Sequence, residues 1–351
     1  MIKPSYSIII PVYNRPDEVD ELLASLTRQS VSTDLFEVII VEDGSQKTCR
    51  EVAEKYTDRL QLHYFSKTNS GPGPSRNYGV KRAQGDYVLI LDSDVILPEG
   101  YLAAVDAELK QHPCEAFGGP DCAGEGFTQV QKAISYAMTS FFTTGGIRGG
   151  TTKKMDRFYP RSFNMGVRRD VYEQLGGFSH MRFGEDIDFS YRIFENGYTA
   201  RLFPTAWVWH KRRTDFDKFF KQVFNSGIAR INLEKRHPGT MKLVHMLPMI
   251  FTLGVILLLV AAVTLRLLSV RSGSGLDALA WVYPLLPLFL FIALVFFDSS
   301  IRNRSLVIGF LSVEASFVQL MGYGLGFLSA WWKRCVKGEG EFGAFEKNFY
   351  E

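Results

Sequence analysis

The sequence predicts an α/β domain built on a mainly parallel sheet, followed by membrane-spanning helices. Three observations carry this. Short apolar runs alternate with segments of helical spacing over residues 1–240, the pattern of strands joined by helical crossovers. Those runs end in polar clusters, Tyr13-Asn14, Glu42-Asp43 and Asp92-Ser93-Asp94, as expected where a parallel sheet presents ligand-binding groups at the carboxyl ends of its strands. Finally, residues 246–265, 279–297 and 306–332 are long apolar stretches, each reaching the roughly 20 residues that cross a bilayer.

Bulk properties set limits. The chain has 351 residues and a formal net charge of +3, so composition gives no argument for nucleic acid as a partner. Cys49, Cys114, Cys122 and Cys335 lack metal-type spacing and read as reduced, unpaired thiols. No cleavable signal peptide precedes the first strand, so the first domain is expected to stay on the cytoplasmic side.

In order, Ser7-Ile-Ile-Ile-Pro-Val-Tyr-Asn predicts a first strand ending at a loop. Arg15-Pro-Asp-Glu starts a helix, with Pro16 suited to the first turn, and Leu22, Leu23 and Leu26 continue it at core-facing spacing. Residues 36–41 predict a second buried strand, ended by Glu42-Asp43-Gly44-Ser45. A helix over residues 46–56 and a short strand around residues 60–65 follow. Asn69-Ser-Gly-Pro-Gly-Pro-Ser-Arg-Asn is a Gly/Pro-rich loop feeding a helix that runs to Ala83. Residues 87–91 are continuously apolar, the pattern of a strand covered on both faces.

Asp92 and Asp94 sit where that strand emerges. With one residue between them in an extended chain, their side chains point to the same side. Like charges at close range are costly unless a cation neutralises them, and hard oxygen ligands suit Mg2+ or Mn2+. For a D-x-D pattern alone, a solvated turn is the plainer alternative.

Ile9-Ile-Pro-Val-Tyr-Asn, Val41-Glu-Asp-Gly-Ser and Leu91-Asp-Ser-Asp, in this order, resemble the family 2 glycosyltransferases with a GT-A fold, over residues 5–235. The resemblance implies inverting transfer of a sugar from a nucleotide-sugar donor, usually UDP- or GDP-linked. Position by position, it implies that Pro11, Tyr13 and Glu18 line the base pocket, that Asp43 reads the base edge, and that Asn69, Gly71 and Arg76 lie along the nucleotide. Asp92 resembles the residue touching ribose and metal, and Asp94 the principal metal ligand. Asn164 resembles the position beside the sugar or acceptor. Gly184-Glu-Asp matches a family motif at a helix start, with Glu185 and Asp186 as the catalytic pair and Asp186 as the general base on the acceptor hydroxyl. His210 corresponds to a further metal ligand, and Arg212 and Arg213 to contacts with the diphosphate.

Several of these positions have plainer alternatives. Tyr13 is also an ordinary strand-end aromatic, Asp43 a cap for the helix after it, Arg76 a solvated helix charge and His210 a structural histidine. Glu185 and Asp186 would also stabilise a helix N-terminus simply as anions. Inversion nonetheless requires two acidic sites, one gripping a cation beside the leaving diphosphate and one across the sugar. At Trp207-Val-Trp-His-Lys-Arg-Arg the Gln and Trp of the processive synthases' Gln-x-x-Arg-Trp motif are absent, which argues against processive polymerisation.

Beyond residue 112, Glu115-Ala-Phe-Gly-Gly reads as a strand, residues 127–142 as a helix and residues 162–167 as a strand. Residues 143–159 carry Arg148, Lys153, Lys154 and Arg157, either as a basic loop that closes over the donor or as a solvated loop. Phe216, Phe219, Phe220, Val223, Phe224 and Ile228, interleaved with Lys218, Lys221 and Arg230, predict an amphipathic helix at the membrane interface, with packing on the catalytic domain as the alternative. The expected division is a catalytic domain over residues 1–213, an interfacial helix and linker over 214–241, about three membrane helices over 242–335, and a tail over 336–351.

Lys235, Arg236 and Lys242 precede the first apolar stretch, which keeps that end inside. The third stretch carries Glu314 and Gln319 and either spans, lies at the interface or packs within the bundle. Three crossings put the tail outside, yet Lys333, Arg334 and Lys337 follow the last stretch, and the two readings conflict.

The sequence therefore predicts a multi-pass enzyme of the inner membrane with its catalytic domain facing the cytoplasm. It would move a sugar from a UDP- or GDP-linked donor to a hydroxyl of a lipid-linked glycan or glycolipid, with Mg2+ or Mn2+, in a cell-envelope polysaccharide pathway. A homo-oligomer is compatible with this reading and nucleic acid is not expected. The alternatives are formation of a polyprenyl-phosphate sugar and a non-catalytic membrane scaffold.

Overall fold

The apolar runs become the strands of one sheet in the computed structural model, which describes residues 4–122, 126–144, 157–211, 213–272 and 275–344. The chain divides into two units, one of residues 1–125, 151–211 and 350–351, the other of residues 126–150 and 212–349.

The first unit opens with β1 (Tyr6–Val12), α1 (Pro16–Leu26), β2 (Phe36–Asp43), α2 (Arg50–Glu54), β3 (Leu62–Lys67), α3 (Pro72–Val80) and β4 (Tyr87–Leu91). It continues with β5 (Val95–Ile96), α4 (Tyr101–Gln111), β6 (Ala116–Gly118) and β7 (Asp121–Cys122). The chain then supplies α5 (Gln129–Thr139) and α6 (Phe141–Thr144) to the other unit. It returns as β8 (Asn164–Arg168), α7 (Arg169–Gln174), α8 (Glu185–Glu195), β9 (Ala200–Leu202) and β10 (Val208–His210).

Seven strands form a sheet of order β3-β2-β1-β4-β8-β6-β9. The first four are mutually parallel, β8 runs antiparallel to β4 and β6, and β6 pairs parallel with β9. Every residue of β2 is buried, the reason this run shows no polar alternation. Ile8 and Ile10 face one core with Leu22, Leu23 and Leu26 of α1, while Ile9 faces another with Val80, Phe178 and Phe189. Each such fully buried aliphatic contributes about 1.5–3 kcal/mol relative to exposure. The register pairs Val12 with Glu42, Asp43 with Lys67 and Leu91 with Asn164. The polar residues after β1, β2 and β4 therefore share one edge, as predicted.

Two local differences have physical causes. The helix expected over residues 46–56 is only the short α2. The amides of Gln46 and Lys47 donate to Asn14 Oδ1 at 2.8 and 3.0 Å, and that of Cys49 donates to Glu42 Oε2 at 2.8 Å. Side chains thus hold the preceding residues in a turn. A second sheet, β5-β10-β7, was not predicted because strands this short carry no legible periodicity.

The second unit adds α9 (Phe216–Arg236), α10 (Leu243–Ser272), a 3-10 segment (Gly275–Leu285), α11 (Leu286–Asn303), α12 (Leu306–Trp331) and a π turn (Trp332–Val336). Three segments are long and apolar enough to cross a membrane, Leu243–Val270, Leu279–Asn303 and Leu306–Val336. Two packing features stand out in this unit. Residues 126–144 group with these helices: Ala133, Ile134, Ala137 and Met138 of α5 pack with Phe219, Val223 and Ala315. The apolar stripe of α9 is also not left for lipid. Its Ile228 and Ile231 pack on Phe327 and Ala330 of α12. The helices approach so closely that a Cβ on Gly227 would sit 2.1 Å from Tyr323 O, and one on Gly326 2.0 Å from Phe224 O, the small-residue contact typical of membrane helices.

Candidate active site

Asp92 follows the last residue of β4, and the turn after it leads into β5. Because β5 pairs antiparallel with β10, His210 lies opposite Val95; because β10 pairs parallel with β7, Asp121 is drawn in as well. The result is a cluster. His210 Nε2 lies 3.3 Å from Asp94 Oδ1, its Nδ1 lies 3.7 Å from Asp121 Oδ2, and its ring stacks on Phe163 at 4.9 Å between centroids. Burial alone would pull the imidazole down, but Asp94 and Asp121 outweigh it and hold its pKa up at about 9. Asp92, Asp94 and His210, all half-buried, each offer a ligand atom within 4.8 Å of the others. Two carboxylates and an imidazole form a donor set that fits Mn2+, or Mg2+ with added water.

Two arginines bind this cluster. Arg15 Nη1 reaches Asp94 Oδ2 at 3.0 Å and Glu18 Oε2 at 3.1 Å. Arg76, with a side chain only 4% exposed, donates from Nη2 to Asp92 Oδ1 at 2.8 Å and to Ser162 Oγ at 3.0 Å, and from Nη1 to Glu185 Oε1 at 2.8 Å. Its guanidinium also lies 5.2 Å from the centre of the Phe178 ring. Burial opposes that charge, yet Asp92 and Glu185 hold the group firmly protonated. Arg76 is thus not a solvated helix charge, and both of its arms are engaged by carboxylates.

Gly184, in the left-handed region at φ 85°, caps α8 and turns the chain so that Glu185 and Asp186 open its first turn. Burial drives Glu185 upward in pKa, with Arg76 pulling the other way. Its carboxylate is engaged by Arg76 in this structure. Asp186, 11% exposed at its side chain, accepts Arg161 Nε at 2.9 Å on Oδ2 and the Ile187 amide at 2.9 Å on Oδ1. Arg161 is 42% exposed.

At the end of β2, Asp43 accepts the amides of Ser70 at 2.9 Å and Gly71 at 2.8 Å, and the ammonium of Lys67. Asn69 Nδ2 donates to Asp43 O at 2.9 Å. Gly71 has φ 93°, which favours glycine. Asp43 therefore does not cap α2, whose N-cap is Cys49; it closes the loop that leads into α3. Pro11 and Tyr13 are half-buried at the end of β1, and Glu18 is engaged by Arg15.

Asn164 lies at the start of β8. It is 1% exposed, accepts Tyr101 OH at 2.6 Å and donates to Ala206 O at 2.9 Å, so both ends of its amide are engaged within the core. Arg212 and residues 145–156 of the basic loop lie outside the described residues, and Arg213 groups with the second unit. Sequence reasoning missed Asp121, Ser162 and Arg161, whose one- and two-residue contexts carry no motif. It treated Arg15 only as a helix start, although a cation directly after the Tyr13-Asn14 cluster was a usable signal.

Known proteins share parts of this sequence and its fold. The profile of Glycosyl transferase family 2 matches residues 7–176. Glycosyltransferase AglE of Haloferax volcanii is 25% identical over 234 residues, 66% of this chain and 74% of that protein. Poly(ribitol-phosphate) beta-N-acetylglucosaminyltransferase TarS of Staphylococcus aureus is 38% identical over 109 residues, 30% of this chain but only 19% of that one. Among solved structures, the mannosyltransferase PcManGT from Pyrobaculum calidifontis, in complex with GDP-Man and Mn2+, is 18% identical with a TM-score of 0.60, covering 91% of this chain and 87% of that one. That likeness establishes the GT-A fold.

Proposed function

Because the chain carries a family 2 glycosyltransferase domain, we propose that it transfers one sugar, with inversion, from a UDP- or GDP-linked donor to a hydroxyl of a lipid-linked glycan or glycolipid at the cytoplasmic face of the membrane. The observation that carries this reading is the Arg76 bridge, which ties Asp92 of the metal-type cluster to Glu185, the neighbour of Asp186. Two acidic centres with separate tasks are thereby held in fixed relation.

Asp92, Asp94 and His210 would hold a divalent cation, as the neighbour solved with GDP-Man and Mn2+ suggests. When bound, such an ion supplies positive charge against the diphosphate as it leaves. Asp43 and the loop it closes, with Pro11 and Tyr13, frame the nucleoside end. Asp186 takes the proton from the acceptor hydroxyl. The acceptor oxygen forms the new bond to C1 while the C1–O bond to the diphosphate breaks, and the nucleoside diphosphate departs with that bonding pair. Arg76 and Arg161 keep the carboxylates of α8 oriented for this step.

One observation favours a second reading. Arg161 is paired with Asp186 yet substantially exposed, so an anionic acceptor such as a polyprenyl phosphate, already ionised, would find a guanidinium where a hydroxyl needs a base. The experiment is a nucleotide-release screen. Purified protein in lipid nanodiscs, given UDP- or GDP-sugars, Mn2+ and membrane lipid extract, should release one nucleoside diphosphate only when lipid is present, with the product read by mass spectrometry. No binding or release with any donor would leave only the scaffold reading.

A further inference from the structure

The two ring nitrogens of His210 have different neighbours. Nε2 faces Asp94 Oδ1 at 3.3 Å, and Nδ1 faces Asp121 Oδ2 at 3.7 Å. Nδ1 is shut off from solvent and has no hydrogen-bond partner among the described residues. A buried donor left in that condition is costly. The Asp121 carboxylate stands only a few tenths of an ångström beyond hydrogen-bond range of it.

Both partners of this pair are held in place by the fold. The imidazole stacks on Phe163 with 25° between the ring planes, and Phe163 itself packs on the core cluster of β1, β4 and α1. Asp121 is set by the pairing of β7 with β10, in which it stands opposite Val208. The Val208 amide donates to Pro120 O at 3.1 Å. A Cβ on Gly119 would lie 1.6 Å from Ala206 O, so the strand carrying Asp121 approaches the one carrying His210 at a distance only glycine permits.

Asp121 stands outside the metal-type set itself. The ligand atoms that lie within 4.8 Å of one another belong to Asp92, Asp94 and His210. An imidazole binds a cation through the lone pair of one nitrogen while the other keeps its proton. The group that accepts the proton decides which nitrogen is free and aims the ring.

We propose that Asp121 is the positioning residue of the metal site, accepting Nδ1–H of His210 so that Nε2 presents its lone pair to a divalent cation held with Asp92 and Asp94. This rests on the reading above that those three groups bind such an ion. Asp121 acts by aiming a ligand and is not a fourth ligand.

The test uses the full chain in detergent and MnCl2 alone as the probe, read by calorimetry. The proteins compared are wild type, Asp94→Asn, His210→Ala, Asp121→Ala, Asp121→Leu, Asp121→Asn and the double variant Asp121→Ala/His210→Ala. Asp121→Ala and Asp121→Leu should each weaken Mn2+ binding by about tenfold to a hundredfold, the usual effect of removing a group that orients a ligand. Asp121→Asn should lose less, because its amide oxygen still accepts Nδ1–H. The double variant should bind no more weakly than His210→Ala, since a residue that acts through His210 has nothing left to aim. Asp121 is 24% exposed at its side chain and lies on the edge strand of its sheet, so the metal-free unfolding midpoints of its variants should stay near that of the wild type.

Unchanged Mn2+ affinity in Asp121→Ala or Asp121→Leu overturns the inference. Losses that add in the double variant overturn it as well, by making Asp121 a ligand or a charge in its own right. An affinity loss accompanied by a lowered metal-free midpoint in both the alanine and the leucine variants makes the role structural and overturns it too. Wild-type protein that takes up no Mn2+ removes the metal reading and this inference with it. Binding by the wild type that Asp94→Asn loses leaves that reading standing, and the Asp121 variants then decide the inference alone.

Discussion

Asp92 and Glu185, ninety-three positions apart in the chain, share a single guanidinium, each accepting one arm of Arg76 at 2.8 Å. The strand-end acid and the helix-start acid are therefore one electrostatic unit, and the site's integrity depends on a residue that itself faces no solvent.

Replacement of Arg76 tests this unit. Arg76→Ala leaves the Glu185 carboxylate buried without its cation, a change that costs about 3–5 kcal/mol when one partner of a buried pair is removed. Arg76→Lys keeps a charge but cannot fork to both acids. Both variants should unfold at lower denaturant concentration, the lysine variant less so. An unchanged midpoint for Arg76→Ala would show that the bridge contributes nothing to the fold.

The metal-type cluster makes a separate prediction. Asp94→Asn and His210→Ala should each weaken metal-dependent binding of UDP or GDP by at least about tenfold, as loss of a ligand or of a group that orients one does. Calorimetry with MnCl2, and again after chelation with EDTA, reads this directly. Asn164→Ala, whose amide points into the core, should lower stability while leaving the metal dependence intact. Equal metal response in wild-type protein and Asp94→Asn would remove Asp94 from the ligand set.

Most of this frame was legible beforehand because long-range order and local pattern agree here. The apolar runs of β1, β2 and β4 each end in polar residues, and parallel pairing then has little choice but to collect those ends on one edge. What the sequence could not reveal depends on pairs far apart in the chain. Arg76 reads as a surface helix residue until Glu185 and Asp92 are folded around it. The stripe of α9 reads as lipid-facing until Gly322 and Gly326 identify a partner helix. Asp121 needs β10 between it and β5 before it approaches His210.

Asp186 and Arg161 separate the two acceptor readings. Asp186→Asn should reduce turnover on a hydroxyl acceptor by about 10²–10⁴-fold, the usual worth of a positioned base, while leaving donor affinity near that of the wild type. Arg161→Ala frees the same carboxylate. With a hydroxyl acceptor the variant keeps measurable turnover; with a phosphate acceptor its KM rises sharply while Asp186→Asn remains active. Steady-state kinetics of both variants on the product identified by mass spectrometry decides between them.

The contact between α9 and α12 makes the last prediction. A Cβ at Gly227 would lie 2.1 Å from Tyr323 O and 2.7 Å from Phe327 N, and one at Gly326 would lie 2.0 Å from Phe224 O. These neighbours are backbone atoms, so relief requires the helices to separate and cannot come from a rotamer change. Gly227→Ala and Gly326→Ala should each destabilise the helical unit by about 1–3 kcal/mol, the range seen when a tight interface is overpacked. Gly254 of α10 has nothing within 4 Å of its Cβ position, and Gly254→Ala should be neutral or slightly stabilising through helix propensity. Thermal unfolding in detergent, followed by tryptophan fluorescence, compares all three variants in one assay. If Gly254→Ala were as damaging as Gly227→Ala, the close approach of α9 to α12 would not be what holds this unit together.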